Sequence, residues 1–120
     1  MDTSPDTAQD TTPAAPVLTA VEARILGSLA EKAATTPDVY PLTLNNLVLA
    51  CNQKTAREPV TNFSSGDIGH ALRQLEPRGL LKSEYGARAE RYYHRIDRVF
   101  DLTPAQSSLM ALLFLRGPQT

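Results

Sequence analysis

The chain has 120 residues, 42% of them hydrophobic and 21% charged, with a formal net charge of −1, which leaves room for one small soluble core. No apolar run approaches the roughly 20 residues of a membrane-spanning helix. The single cysteine, Cys51, excludes an internal disulfide and suits a reducing compartment, where a small apolar thiol serves as packing.

Residues 1–17 are rich in Thr, Ala, Pro and Asp and nearly devoid of apolar content, which predicts a disordered lead-in. They carry Asp2, Asp6 and Asp10 and no base, so no secretory signal is expected and a cytoplasmic address follows. Without those three acids, residues 17–120 hold twelve bases against ten acids.

Thr19 can cap a first helix, with Glu22 reaching back to its backbone. Val21, Ile25, Leu26, Leu29 and Ala33 form its inward stripe, and Arg24, Ser28, Glu31 and Lys32 its wet side. Thr35-Thr36-Pro37 ends the helix, and the prolines around Val39-Tyr40-Pro41 allow only a short edge strand, placed to pair with a later hairpin. Thr43 caps a second helix, apolar at Leu44, Leu47, Val48, Ala50 and Cys51, that runs to about Gln53.

The ten residues from Lys54 to Phe63 are too many for a standard helix-turn-helix connection of three or four. Two readings stand. In one the loop is structural: its amides and hydroxyls cap the last carbonyls of the second helix, and Arg57 pairs with Glu58 or a neighbour. In the other it is a recognition loop, and Lys54 and Arg57 meet phosphate or an acidic partner.

Ser64, three residues before Asp67, caps a third helix whose Ile68, Ala71, Leu72 and Leu75 share one stripe, and Pro77 and Gly79 close it. A hairpin follows directly. Leu81, Ser83 and Tyr85 alternate with Lys82 and Glu84, residues 86–89 can turn, and Arg91, Tyr93 and Arg95 alternate with Tyr92, His94 and Ile96. A helix running into such a hairpin predicts an α+β, mostly helical winged helix-turn-helix over residues 18–98, with a three-helix core and a small antiparallel sheet. His70, Arg73 and Gln74 are then the face offered to a partner, beside Lys82, Arg88 and Arg91 of the wing. Residues 70–98 hold seven Arg or Lys against four acids, a local basic excess of three. Counterion release makes such an excess useful for weak phosphate binding, and dimerisation would strengthen it.

Residues 99–120 read as a linker and one further helix. At an offset of 84 residues, Leu18-Thr19, Glu22, Ile25-Leu26 and Leu29 are matched by Leu102-Thr103, Gln106, Leu109-Met110 and Leu113, with Pro104 at the favoured first helical position. This reads as the opening helix of a second, truncated winged-helix unit. The alternative is a plain C-terminal helix closing the first domain. Either way its broad apolar surface should pack on the first helix or on a second chain, as in a homodimer.

No glycine-rich phosphate loop, paired cysteines or His-x-x-x-His spacing occurs, so neither a metal nor a cofactor is expected. No motif joins His70 or His94 to Cys51, and Glu58, Asp67 and Glu76 are read as a loop partner, a cap and a helix-face charge. The chain is expected to be non-enzymatic. The leading expectation is association with double-stranded DNA, and the alternative is a protein–protein interaction module on the same fold.

Leu18-Thr19 with Glu22-Ala23-Arg24, Thr35-Thr36-Pro37 with Tyr40-Pro41-Leu42, Ala50-Cys51-Asn52-Gln53-Lys54-Thr55 with Arg57-Glu58-Pro59-Val60, and Leu115-Arg116-Gly117-Pro118-Gln119-Thr120 together carry a resemblance. On these residues the chain resembles the YceH-like family of uncharacterised bacterial proteins across roughly residues 18–120. The resemblance implies two tandem winged-helix domains, of which this chain would hold the first and the opening helix of the second.

Overall fold

Thr19 and Glu22 start the first helix by capping each other. The Thr19 hydroxyl accepts the Glu22 N–H at 3.1 Å, and the Glu22 carboxylate accepts the Thr19 N–H at 2.9 Å, which satisfies two donors that a helix start leaves orphaned. The computed structural model describes residues 18–86, 88–99 and 104–116. The tail expected over residues 1–17, and Leu102 and Thr103 of the internal repeat, lie outside the described residues.

Helix α1 (Ala20–Thr35) buries Ile25, Leu26 and Leu29 completely, as its spacing predicts. Its expected wet side is only partly wet. Arg24 and Ser28 are buried, at 4% and 0% exposure. The two-sided pattern fails because α1 is packed against the second, third and last helices, while Arg24 lies under the loop that follows the second helix.

Pro37–Val39 form a 3-10 turn rather than the start of a strand, and the short strand comes afterwards, at β1 (Leu42–Thr43). The preceding prolines explain the shift, since each lacks the N–H that a ladder requires. Thr43 also caps α2 (Leu44–Asn52), its hydroxyl accepting the Asn46 N–H at 3.2 Å. α3 (Ser65–Leu75) begins with a second reciprocal cap, Ser64 with Asp67, and buries Ile68, Ala71, Leu72 and Leu75. A 3-10 turn over Glu76–Arg78 leads to Gly79, whose φ of +77° lies in the left-handed region open to glycine, and the chain reverses there into the hairpin.

The hairpin joins β2 (Leu81–Tyr85) and β3 (Glu90–His94), closed where the Gly86 N–H donates to the Ala89 carbonyl at 3.0 Å. β3 is central: it pairs antiparallel with β2 on one side and β1 on the other, giving the order β1-β3-β2. The expected three-stranded sheet is present. The register sets Leu42 beside Tyr92, Leu81 beside His94, Lys82 beside Tyr93, and both Thr43 and Glu84 beside Arg91. Leu42, Leu81 and Ile96 are buried and Tyr92 packs against the core, so strand alternation leaves Lys82, Glu84, Arg91, Tyr93 and Arg95 on the opposite, outward face. Three helices over a small sheet with a protruding hairpin make an α+β architecture compatible with a winged helix.

After the single turn α4 (Ile96–Val99), helix α5 (Pro104–Arg116) lies along α1. Gly27 makes this contact possible. A Cβ there would sit 2.8 Å from Leu115 Cγ and 2.9 Å from Phe114 Cβ. The expected packing on the first helix is therefore found, with Ala111 and Leu115 buried, but Leu109, Leu112 and Leu113 remain exposed at 59%, 37% and 37%. Among the described residues, no helix is long and apolar enough to cross a membrane.

Candidate nucleic-acid interface

The end of α3 and the start of the hairpin are tied together by Glu76, whose carboxylate accepts the Ser83 N–H at 3.3 Å and the Ser83 hydroxyl at 3.0 Å. The helix and the wing are thus held as one piece. His70, Arg73 and Gln74 are exposed on α3, and Lys82 and Arg88 are exposed on the hairpin. Arg91 is half-buried and donates to the Pro41 carbonyl at 3.2 Å, which pins the strand to the turn before β1.

Charge is distributed unevenly over these elements. Arg78 pairs with Glu22 at 3.3 Å, and Lys32 and Arg57 both pair with Glu31. Among the described residues, Lys54, Arg73, Lys82, Arg88, Arg91 and Arg95 form no ion pair. Three of these, Lys82, Arg91 and Arg95, stand with Tyr93 on the outward sheet face, where Glu84 is the acid that register places among them. Tyr93 and Arg95 join this face in addition to the candidates that the sequence offers. The signal was available in the two-residue alternation of Arg91, Tyr93 and Arg95.

The beginning of α3 has the opposite character. The backbone hydrogen bond from Ser64, joined by its side chain, holds the Asp67 carboxyl below the usual carboxylate range and so ionised at neutral pH. Asp67, Glu22, His70 and Gln74 line a groove of about 530 Å³ between α1 and α3. Two of the residues expected to face a partner thus share their surroundings with two carboxylates.

The polar loop separates the two residues considered together as loop candidates. Lys54 is exposed, but Arg57 is buried at 5% exposure and cannot meet a phosphate as the recognition reading requires. Its Nη2 donates to Glu31 Oε1 at 2.7 Å, Nη1 donates to Glu31 Oε2 at 3.1 Å, and Nε donates to the Ala50 carbonyl at 3.0 Å. The partner is Glu31 on α1 rather than the adjacent Glu58, because the loop folds back over the end of α2. Arg24 completes this arrangement by donating to the carbonyls of Cys51 at 3.1 Å and Pro59 at 2.6 Å and to the Thr61 hydroxyl at 3.1 Å. Two guanidinium groups thereby take up terminal carbonyls of α2, where positive charge also complements the helix dipole.

The loop reaches the last helix as well, since the Glu58 N–H donates to the Leu115 carbonyl at 3.0 Å. Burial pushes the nearby Cys51 thiol up to about 11, which keeps it protonated and unreactive at neutral pH. Among the described residues, no group of three or more His, Cys, Asp or Glu side chains is placed to hold a metal ion.

Residues 18–120 match the family described as "Protein of unknown function, DUF480". The chain is 62% identical over 103 residues to a UPF0502 protein of Pseudomonas paraeruginosa, covering 86% of this chain and 47% of that one. It is 60% identical over 100 residues to a UPF0502 protein of Pseudomonas putida, covering 83% and 47%. A UPF0502 protein of Stenotrophomonas maltophilia is 59% identical over 109 residues, covering 91% and 50%. The chain spans about half the length of these curated relatives.

Proposed function

The chain belongs to the DUF480 family of proteins of unknown function, and from that premise, with geometry as the guide to chemistry, we propose that it is a non-enzymatic, DNA-associated winged-helix protein. The observation that carries this reading is the set of exposed or half-exposed cations on α3 and the hairpin, Arg73, Lys82, Arg88 and Arg91, none of them engaged in an ion pair among the described residues. Unpaired guanidinium and ammonium groups on a rigid ribbon are suited to phosphate oxygens, and each contact gains from counterion release. Titration of a generic duplex, followed by fluorescence anisotropy at low and moderate salt, tests the proposal. Affinity is expected to fall as salt rises, and the absence of binding even at low salt would remove this function.

A second reading, a protein-interaction module, is favoured by the exposed Leu109, Leu112 and Leu113 on α5. An apolar row of this kind suits another protein surface, and a second copy of the chain is the simplest occupant. Sedimentation should then reveal a concentration-dependent dimer that Leu109→Asp with Leu113→Asp disperses. A wild-type monomer at all concentrations would dismiss self-association.

A further inference from the structure

Resting on the DNA-associated reading, we infer that duplex DNA is seated on the outward face of the β1-β3-β2 sheet, around Tyr93, and not on the α3 face that carries Asp67, His70 and Gln74. The first ground is charge complementarity. The register and alternation put Lys82, Arg91 and Arg95 around Tyr93 on one face, against Glu84 alone among the residues that alternation places there. None of these three cations is neutralised by an ion pair among the described residues. Arg88, exposed in the adjoining turn, extends the same ribbon.

The second ground is what α3 presents. A helix N-terminus attracts phosphate through its free N–H groups and positive dipole end. Here the reciprocal cap brings a carboxylate to that end: the Ser64 N–H is donated to Asp67 Oδ2 and the Asp67 N–H to Ser64 Oγ, each at 3.0 Å. The Asp67 carboxyl is exposed in the groove, whereas Glu22, which also lines it, is buried and paired with Arg78, so a phosphate approaching His70 and Gln74 meets the unpaired charge of Asp67. At Debye lengths of about 8–10 Å this charge acts directly on a docked backbone.

The third ground is rigidity. The face is fixed on three sides, by the paired strands, by Arg91 on the Pro41 carbonyl and by Glu76 on Ser83, so little order is lost when it docks. The bland alternative is that these charges only guard the edge strand β2 against sheet-to-sheet pairing, a common use of charged edges.

The salt titration separates these cases when applied to two variants of the intact chain. In Lys82→Gln with Arg95→Gln the aliphatic stems are largely retained and two charges are lost. In His70→Ala with Gln74→Ala the groove on α3 is altered. Thermal unfolding verifies that each variant folds, and Arg88→Gln, in an exposed turn, serves if the sheet variant does not. The sheet variant is expected to bind at least about tenfold more weakly at low salt, with the slope of log K against log salt reduced by about 2, while the α3 variant stays within about twofold of wild type. Loss confined to the α3 variant would overturn the inference, as would a sheet variant with unchanged affinity and slope. Absence of wild-type binding is a separate outcome that removes the DNA reading itself and this inference with it.

Discussion

Truncating Arg57 to alanine is expected to destabilise the fold by about 3–5 kcal/mol, read from urea unfolding at neutral pH. Its side chain is fully buried and forks onto both oxygens of Glu31 while Nε holds the Ala50 carbonyl. Removal strands a terminal carbonyl of α2 and leaves the Glu31 carboxylate without its main partner. Because the Glu31 side chain is 19% exposed and can turn toward water, the cost should fall near 3 rather than 5 kcal/mol. Arg57→Lys should recover little, since a point charge cannot reproduce the planar fork.

The same pair sets an acid limit on stability. Burial raises the Glu31 carboxyl, but the hydrogen bonds and charge of Arg57, helped by Lys32, more than reverse this and leave it below its ordinary 4.5. A carboxyl lowered in the folded state binds fewer protons there than in the unfolded chain. Its contribution is therefore complete above pH 4.5 and is lost as the pH falls through the lowered folded value. Glu31→Gln should flatten that part of the stability curve. A wild-type acid transition unchanged by Glu31→Gln, or a cost below about 1 kcal/mol for Arg57→Ala, would mean that the loop is held by other contacts.

Gly27→Val should cost about 2–4 kcal/mol and release α5 from α1. A Cβ at this position comes within 2.9 Å of Phe114 Cβ and 2.8 Å of Leu115 Cγ. Phe114 Cβ is bonded to backbone and Leu115 Cγ is a branch point, so neither can swing aside as a flexible chain end would. The helix itself must move. Replacing glycine with alanine would regain about 1 kcal/mol of helix propensity and mask part of this strain, whereas valine regains less and adds two methyl groups to the collision. Proteolysis within residues 104–116 should accelerate while far-ultraviolet dichroism of the remaining helices persists. Unchanged stability and proteolysis would show that the two helices can separate without loss.

Much of this fold is legible in short-range patterns. Thr19 with Glu22 and Ser64 with Asp67 lie three residues apart, so their caps follow from local chemistry, and the alternation from Leu81 to His94 follows from the pleat. What escapes the sequence is set by distance along the chain. Arg57 and Glu31 are 26 residues apart, and a local pairing rule selects Glu58 instead. Arg24 and Ser28 look wet on a helical wheel because a wheel assumes one buried face, whereas packing encloses α1 on several sides. The candidate interface divides in the same way. Exposure of Arg73, Lys82 and Arg88 could be read from their positions, but the concentration of cations around Tyr93 depends on strand register, and the groove that holds Asp67, His70 and Gln74 depends on the packing of α1 beside α3.

The Glu58 amide, held by the Leu115 carbonyl at 3.0 Å, belongs to a surface loop yet terminates on the last helix. Its exchange with deuterated solvent should accordingly be slow, and its rate should follow the seating of α5 instead of the motions of the loop around it. One backbone proton thus becomes a gauge by which nuclear magnetic resonance can time the opening and closing of the whole C-terminal contact.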